Sequence, residues 1–105
     1  MAACEDTLWH YAALHGQVRR ALRRCGLPAD AEVLDAGCGT GGLLRRLRGW
    51  WPQARLHGVE YSAFAVGLAR ERTACPVDEG SVLALPFADG SFDAITCIDV
   101  VYQFP

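Results

Sequence analysis

Six consecutive residues, Gly37–Cys38–Gly39–Thr40–Gly41–Gly42, limit what this chain can fold into more than any other stretch. They follow a short apolar run, Val33–Leu34–Asp35–Ala36, and lead into an amphipathic segment from Leu43 to Arg48. A chain that turns this sharply from an extended run into a helix needs backbone conformations that glycine adopts at little cost, and the missing Cβ atoms let a ligand approach the main chain. The segment therefore predicts strand, tight loop and helix, with a binding surface on the loop. Gly37, Gly39 and Gly42 satisfy G-x-G-x-x-G, the dinucleotide fingerprint, although a glycine cluster is sometimes only a tight turn.

The flanking residues continue the alternation. Leu8, Tyr11, His15, Val18 and Leu22 recur at three- and four-residue spacing and predict a helix over 5–25, ended by Gly26 and Pro28. Gly49 and Pro52 are expected to close the helix that starts at Leu43, and Ala54 to Val59 reads as a second strand ending at Glu60. Ser62 is placed to cap a helix from Ala63 to about Arg72, with Phe64, Val66, Leu68 and Ala69 as its apolar surface. Cys75 to Gly80 is a weak third strand, Asp89–Gly90–Ser91 a turn, and Phe92 to Val101 a fourth strand apolar enough for burial on both faces. Such an alternation with short connections predicts an α/β fold, a Rossmann-like doubly wound parallel sheet with right-handed crossovers. Ligands in these sheets bind beyond the carboxyl ends of the strands, where the glycine loop and Glu60 both fall.

Composition narrows the function. A chain of 105 residues holds at most one domain, and its 51% hydrophobic content argues against disorder. A net charge of −2 opposes a surface built to neutralise phosphates, so a small molecule rather than nucleic acid is the expected partner. The five cysteines are widely spaced and include no C-x-x-C pair, which suggests neither a disulfide framework nor a metal site. Without a signal-like N-terminus or an apolar run long enough to span a bilayer, a soluble cytoplasmic protein with no membrane partner is expected.

Asp35, two positions ahead of Gly37, extends the glycine pattern to D-x-G-x-G-x-G. Here Val33 to Gly41, VLDAGCGTG, resembles the first motif of the class I S-adenosylmethionine-dependent methyltransferases. A second block, residues 80–93 (GSVLALPFADGSFD), is similar to the family stretch G-D-A-x-x-L-P-F-x-D-x-S-F-D that precedes strand four, particularly in small-molecule methyltransferases typified by quinone-biosynthesis enzymes. The resemblance implies S-adenosyl-L-methionine as cofactor and a small-molecule methyl acceptor. It places Gly37, Cys38, Gly39 and Gly41 around the methionine portion, whose carboxylate suits backbone N–H groups at a helix N-terminus. Asp35 then lies near the ammonium group or braces the loop. Glu60, nineteen positions after Gly41 at a strand end, is expected to accept the ribose hydroxyls, and Tyr61 to pack beside the adenine.

Ser81 stands where the family pattern often has an Asp that accepts from the adenine amino group, so adenine recognition rests on an uncharged acceptor or on the Val82 backbone. Asp99 faces the methionine ammonium or is a loop carboxylate. Asp93 is expected to fix the turn into strand four. Residues 5–18 resemble a lid-like helix of some relatives, in which Trp9 and Tyr11 either cover the cofactor or belong to the core, and His15 reads as a partly buried, satisfied histidine. No catalytic residue is singled out.

In that family the sheet order is 3-2-1-4-5-7-6, and this chain supplies the first four strands. The expectation is therefore a single partial domain over 1–105, with 1–28 as N-terminal helix and 29–105 as the S-adenosylmethionine-binding half. It leaves strand four as an apolar edge open to self-association. Two other readings stand beside the enzyme: an inactive cofactor-binding fragment, and an NAD-binding oxidoreductase fragment suggested by the literal G-x-G-x-x-G.

Overall fold

The computed structural model describes residues 14–81, 87 and 90–97. Among these, four strands, β1 (Glu32–Ala36), β2 (Arg55–Glu60), β3 (Val77–Glu79) and β4 (Ala94–Thr96), form one sheet in the order β3-β2-β1-β4. Every pairing is parallel. The chain steps outward from β1 to β3 and then returns to the other side of β1, so the topological switch lies between β1 and β4. A crevice beyond the carboxyl ends of those strands is where such sheets hold ligands.

Register sorts the side chains into two faces. Val33 aligns with Leu56 and Ala94, and Asp35 with Gly58 and Thr96. This face meets the helices, because Val33, Leu56 and Val77 pack in one cluster with Leu43, Leu44, Leu47, Val66 and Ala69. Leu34, His57 and Ile95 align on the opposite face.

Among the described residues three helices cover the first face: α1 over residues 14–24, α2 (Gly42–Trp50) and α3 (Ala63–Thr73). In α2 the leucines Leu43, Leu44 and Leu47 are buried while Arg45, Arg46 and Arg48 face water, the stripe expected of a helix lying on a sheet. Each such leucine contributes about 1.5–3 kcal/mol relative to an exposed one. Helix α3 starts as its sequence implies, with Ser62 extended and its Oγ accepting the Ala65 N–H at 3.4 Å.

Some expectations need correction. Gly49 does not end α2, which runs on to Trp50 and stops where the Trp51 N–H reaches the Leu47 carbonyl at 2.8 Å. Trp50 packs against the core, and Arg48 bonds the carbonyls of Pro52 and Ala54, so the last turn is held from outside the helix. Phe64 is 78% exposed and contributes nothing to the buried face of α3, which consists of Val66 and Ala69. The third strand starts at Val77, not Cys75. Within the expected fourth strand, Ile95 is 56% exposed, so burial on both faces does not hold there; residues 98–101 lie outside the described residues.

His15 sits where α1 crosses the start of α2, its Cε1 3.8 Å from where a Cβ on Gly42 would stand. Burial, with the nearby Arg46 charge adding to it, lowers its pKa below the ordinary 6.5. Folding thus favours the neutral ring: its contribution is complete above pH 6.5 and is lost as the pH falls below that value toward the folded pKa. Between about pH 7.5 and about pH 5 the melting temperature of the wild type should drop by a few degrees more than that of His15→Gln. Equal drops in the two melts would mean that His15 plays no part in the acid response.

Candidate cofactor site

The glycine loop hangs from β2 by its own backbone. The N–H groups of Gly37 and Cys38 both donate to the Val59 carbonyl, at 2.7 and 3.0 Å, and the Gly41 N–H donates to the Cys38 carbonyl at 3.0 Å. Gly37, Gly39 and Gly41 have φ values of 75°, 58° and 93°, in the left-handed region that L side chains adopt at a cost. Two of these glycines have different uses. A Cβ on Gly41 would stand 2.7 Å from Thr73 Cγ2 and 3.4 Å from Ala69 Cα, so its bareness lets the loop close onto α3. A Cβ on Gly39 would meet nothing within 4 Å, which leaves this part of the loop open to a ligand.

Glu60 joins the two ends of the site. Its Oε1 accepts the Gly39 N–H at 3.1 Å and its Oε2 accepts the Ser62 N–H at 3.0 Å, with the residue 2% exposed. The carboxylate thus ties the tip of the glycine loop to the start of α3. Its carbonyl accepts the Gly80 N–H at 3.0 Å, which brings Ser81 alongside. Tyr61 is 59% exposed just beyond the strand.

Asp35 is 2% exposed at the root of the loop, and its Oδ1 accepts from Thr96 Oγ1 at 2.8 Å. Cys38 is buried with its Sγ toward β2, so only its backbone can face a ligand. The structure therefore gathers Asp35, Gly37, Cys38, Gly39, Gly41, Glu60, Tyr61 and Ser81 at the carboxyl ends of β1, β2 and β3. Val82, Asp99, Trp9 and Tyr11 lie outside the described residues.

Some residues of consequence carry no motif, and others do more than their motif indicates. Thr96 belongs to neither block, and only the β1–β4 register brings it to Asp35. Asp93 does more than shape a turn: its N–H donates to the Glu32 carbonyl at 2.7 Å while its Oδ2 accepts the Glu32 N–H at 2.8 Å, closing the amino ends of β1 and β4. At that same end His57 Nε2 pairs with Asp78 Oδ2 at 2.8 Å, and Phe87 and Phe92 stand edge-on to the ring. A cavity of about 280 Å³ opens beside them, lined by Leu56, His57, Pro76 and the two phenylalanines, at the opposite end of the strands from the glycine loop.

Comparison with known proteins identifies the family. Residues 33–105 match the family described as Methyltransferase domain. The chain is 44% identical over 73 residues to demethylmenaquinone methyltransferase of Roseiflexus sp. (strain RS-1), covering 66% of this chain and 30% of that protein. It is 32% identical over 97 residues to the demethylmenaquinone methyltransferase of Deinococcus radiodurans, covering 88% of this chain and 37% of that one. Among solved structures, the SAM-bound amino pentose methyltransferase of calicheamicin biosynthesis from Micromonospora echinaspora superposes with a TM-score of 0.67 at 29% identity, covering 82% of this chain and 35% of that one. The chain thus spans about a third of the length of these relatives. None of the three is an oxidoreductase.

Proposed function

Because the chain belongs to the family of methyltransferase domains, we propose that it binds S-adenosyl-L-methionine at the carboxyl ends of β1 and β2 and forms the cofactor half of an enzyme that methylates a small-molecule acceptor. The observation that carries this reading is the junction of Glu60 with Gly39. A carboxylate at the end of β2 holds the loop tip by one oxygen, and beside it lies a glycine with open space where a side chain would be. Such a cradle fits a nucleoside whose hydroxyls need an acceptor and whose chain must pass close to the backbone.

The donor set fits this cofactor better than a dinucleotide. Asp35 stands at the root of the loop, where a pyrophosphate would meet a carboxylate of its own sign but an amino-acid ammonium would meet an opposite one. Glu60 has acceptor capacity for ribose hydroxyls, since an ionised carboxylate presents about four lone-pair sites. We assign Tyr61, Ser81 and Val82 to the adenine and Asp99 to the ammonium.

When bound, S-adenosylmethionine supplies a methyl group already activated by its sulfonium. What the chain would contribute is position: Glu60 would hold the ribose, and the glycine loop and Asp35 would orient the amino-acid portion. We assign residues 29–105 to this half and 1–28 to a helix ahead of it. Among the described residues no helix is long and apolar enough to cross a membrane, and we place the reaction in the cytoplasm. The exposed Ile95 on β4 supports association of the chain with a further copy through that strand.

Calorimetric titration of the 105-residue chain with S-adenosylhomocysteine, and separately with NAD, tests the reading. Saturable binding of the first and none of the second is expected. A folded chain that binds NAD, or neither ligand, would overturn it.

A further inference from the structure

We propose that Thr96 on β4 is a positioning residue that aims the Asp35 carboxylate at the ammonium group of the cofactor's methionine portion. The inference rests on the cofactor reading above and deepens it. In the β1–β4 pairing Asp35 lies directly beside Thr96, and both are buried, at 2% and 7% exposed. Thr96 Oγ1 is 2.8 Å from Asp35 Oδ1 and 3.4 Å from the Leu34 carbonyl. A hydroxyl has one proton to give, and the shorter contact, to an acceptor that carries charge, takes it.

The direction of that bond matters for function. Asp35 is followed at once by the loop, whose first N–H groups are anchored on Val59, so the main chain on both sides of the carboxylate is held. The hydrogen bond on Oδ1 then restrains rotation of the side chain. Threonine suits the task because its branched Cβ restricts its own torsion in a strand, so the hydroxyl is itself fixed. The neighbouring Cys97 thiol is raised in pKa first by burial and then by the Asp35 charge. Thr96 stands on the far side of the topological switch from the loop, so β4 tunes a ligand contact that belongs to β1.

The test compares two ligands across the wild type and four variants. S-adenosylhomocysteine carries the amino-acid portion, whereas 5′-methylthioadenosine has the same nucleoside without it. Thr96→Val is expected to weaken S-adenosylhomocysteine roughly tenfold and leave 5′-methylthioadenosine unchanged, the loss of one hydrogen bond to a charged group. Thr96→Ser should restore most of the loss. In an Asp35→Asn background Thr96→Val should cost no further affinity. Thr96→Ala takes the place of valine if that variant does not fold, as judged by its thermal melt. Equal weakening of both ligands, or an undiminished effect of Thr96→Val on top of Asp35→Asn, would overturn the proposal. A folded wild type that binds neither ligand would instead overturn the cofactor reading, and the ammonium assignment with it.

Discussion

Replacing Glu60 by glutamine is expected to lower the affinity for S-adenosylhomocysteine roughly 100-fold and to cost about 2 kcal/mol of stability, although the side chain keeps its shape. The reason is the direction of its bonds. Gly39 and Ser62 both offer N–H donors to the carboxylate, one to each oxygen. A glutamine turns one of those oxygens into an NH₂ group, which confronts a donor with a donor. A buried donor left unpaired costs about 1–3 kcal/mol, and the surviving bond loses its charge assistance. The ligand term comes on top, because two ribose hydroxyls would lose an ionised acceptor. Separating the two effects needs an analogue without the 2′ and 3′ hydroxyls. The wild type should bind it weakly, and Glu60→Gln should bind it no worse. If the substitution instead weakens S-adenosylhomocysteine and the analogue by the same factor, Glu60 is only a brace for the loop and the ribose assignment fails.

Glu60 shows how much of the candidate site is legible in the sequence. Its residue type, its place at a strand end and its distance from the glycines are local features, and they point to the carboxyl end of β2, where Glu60 lies. Alternation points to a parallel sheet, and the order β3-β2-β1-β4 is the one the family resemblance implies. What stays hidden depends on register between strands remote in sequence. Thr96 meets Asp35 across 61 residues, and Asp93 closes onto Glu32 across the same separation. No periodicity within a strand announces such a partner. Gly49 misleads for a related reason: a glycine near a helix end is a stop signal on average, but Trp50 has a place in the core and Arg48 anchors the following turn, so tertiary packing overrides the local preference. Residue type alone puts Phe64 on the apolar surface of α3, whereas that helix turns only Val66 and Ala69 fully inward.

Gly58 is the residue whose importance the sequence conceals most, and Gly58→Val is expected to destabilise the fold by about 3 kcal/mol or more, through overpacking of a filled core. In sequence it is a glycine inside a strand, where a side chain would ordinarily strengthen the sheet. In the structure it faces α2, and a Cβ there would stand 2.8 Å from Cys38 Sγ and 2.9 Å from Leu44 Cδ1. Neither neighbour has room to leave, because Cys38 is 1% exposed and Leu44 0%. The bare strand position is thus what lets the glycine loop and the first turn of α2 seat on β2. A loss of this size should lower the melting temperature by roughly 12–24 °C, at about 4–8 °C per kcal/mol for a domain of this length. The smaller change Gly58→Ala brings the same first contact, so combining it with Cys38→Ala, which removes the sulfur, should recover part of the loss. Because the two sites touch, their energies should fail to add, and a thermal double-mutant cycle reads the difference. Additive effects of Gly58→Ala and Cys38→Ala would show that the loop does not seat against β2 through this contact, and that the Cys38 sulfur does not fill the space over Gly58.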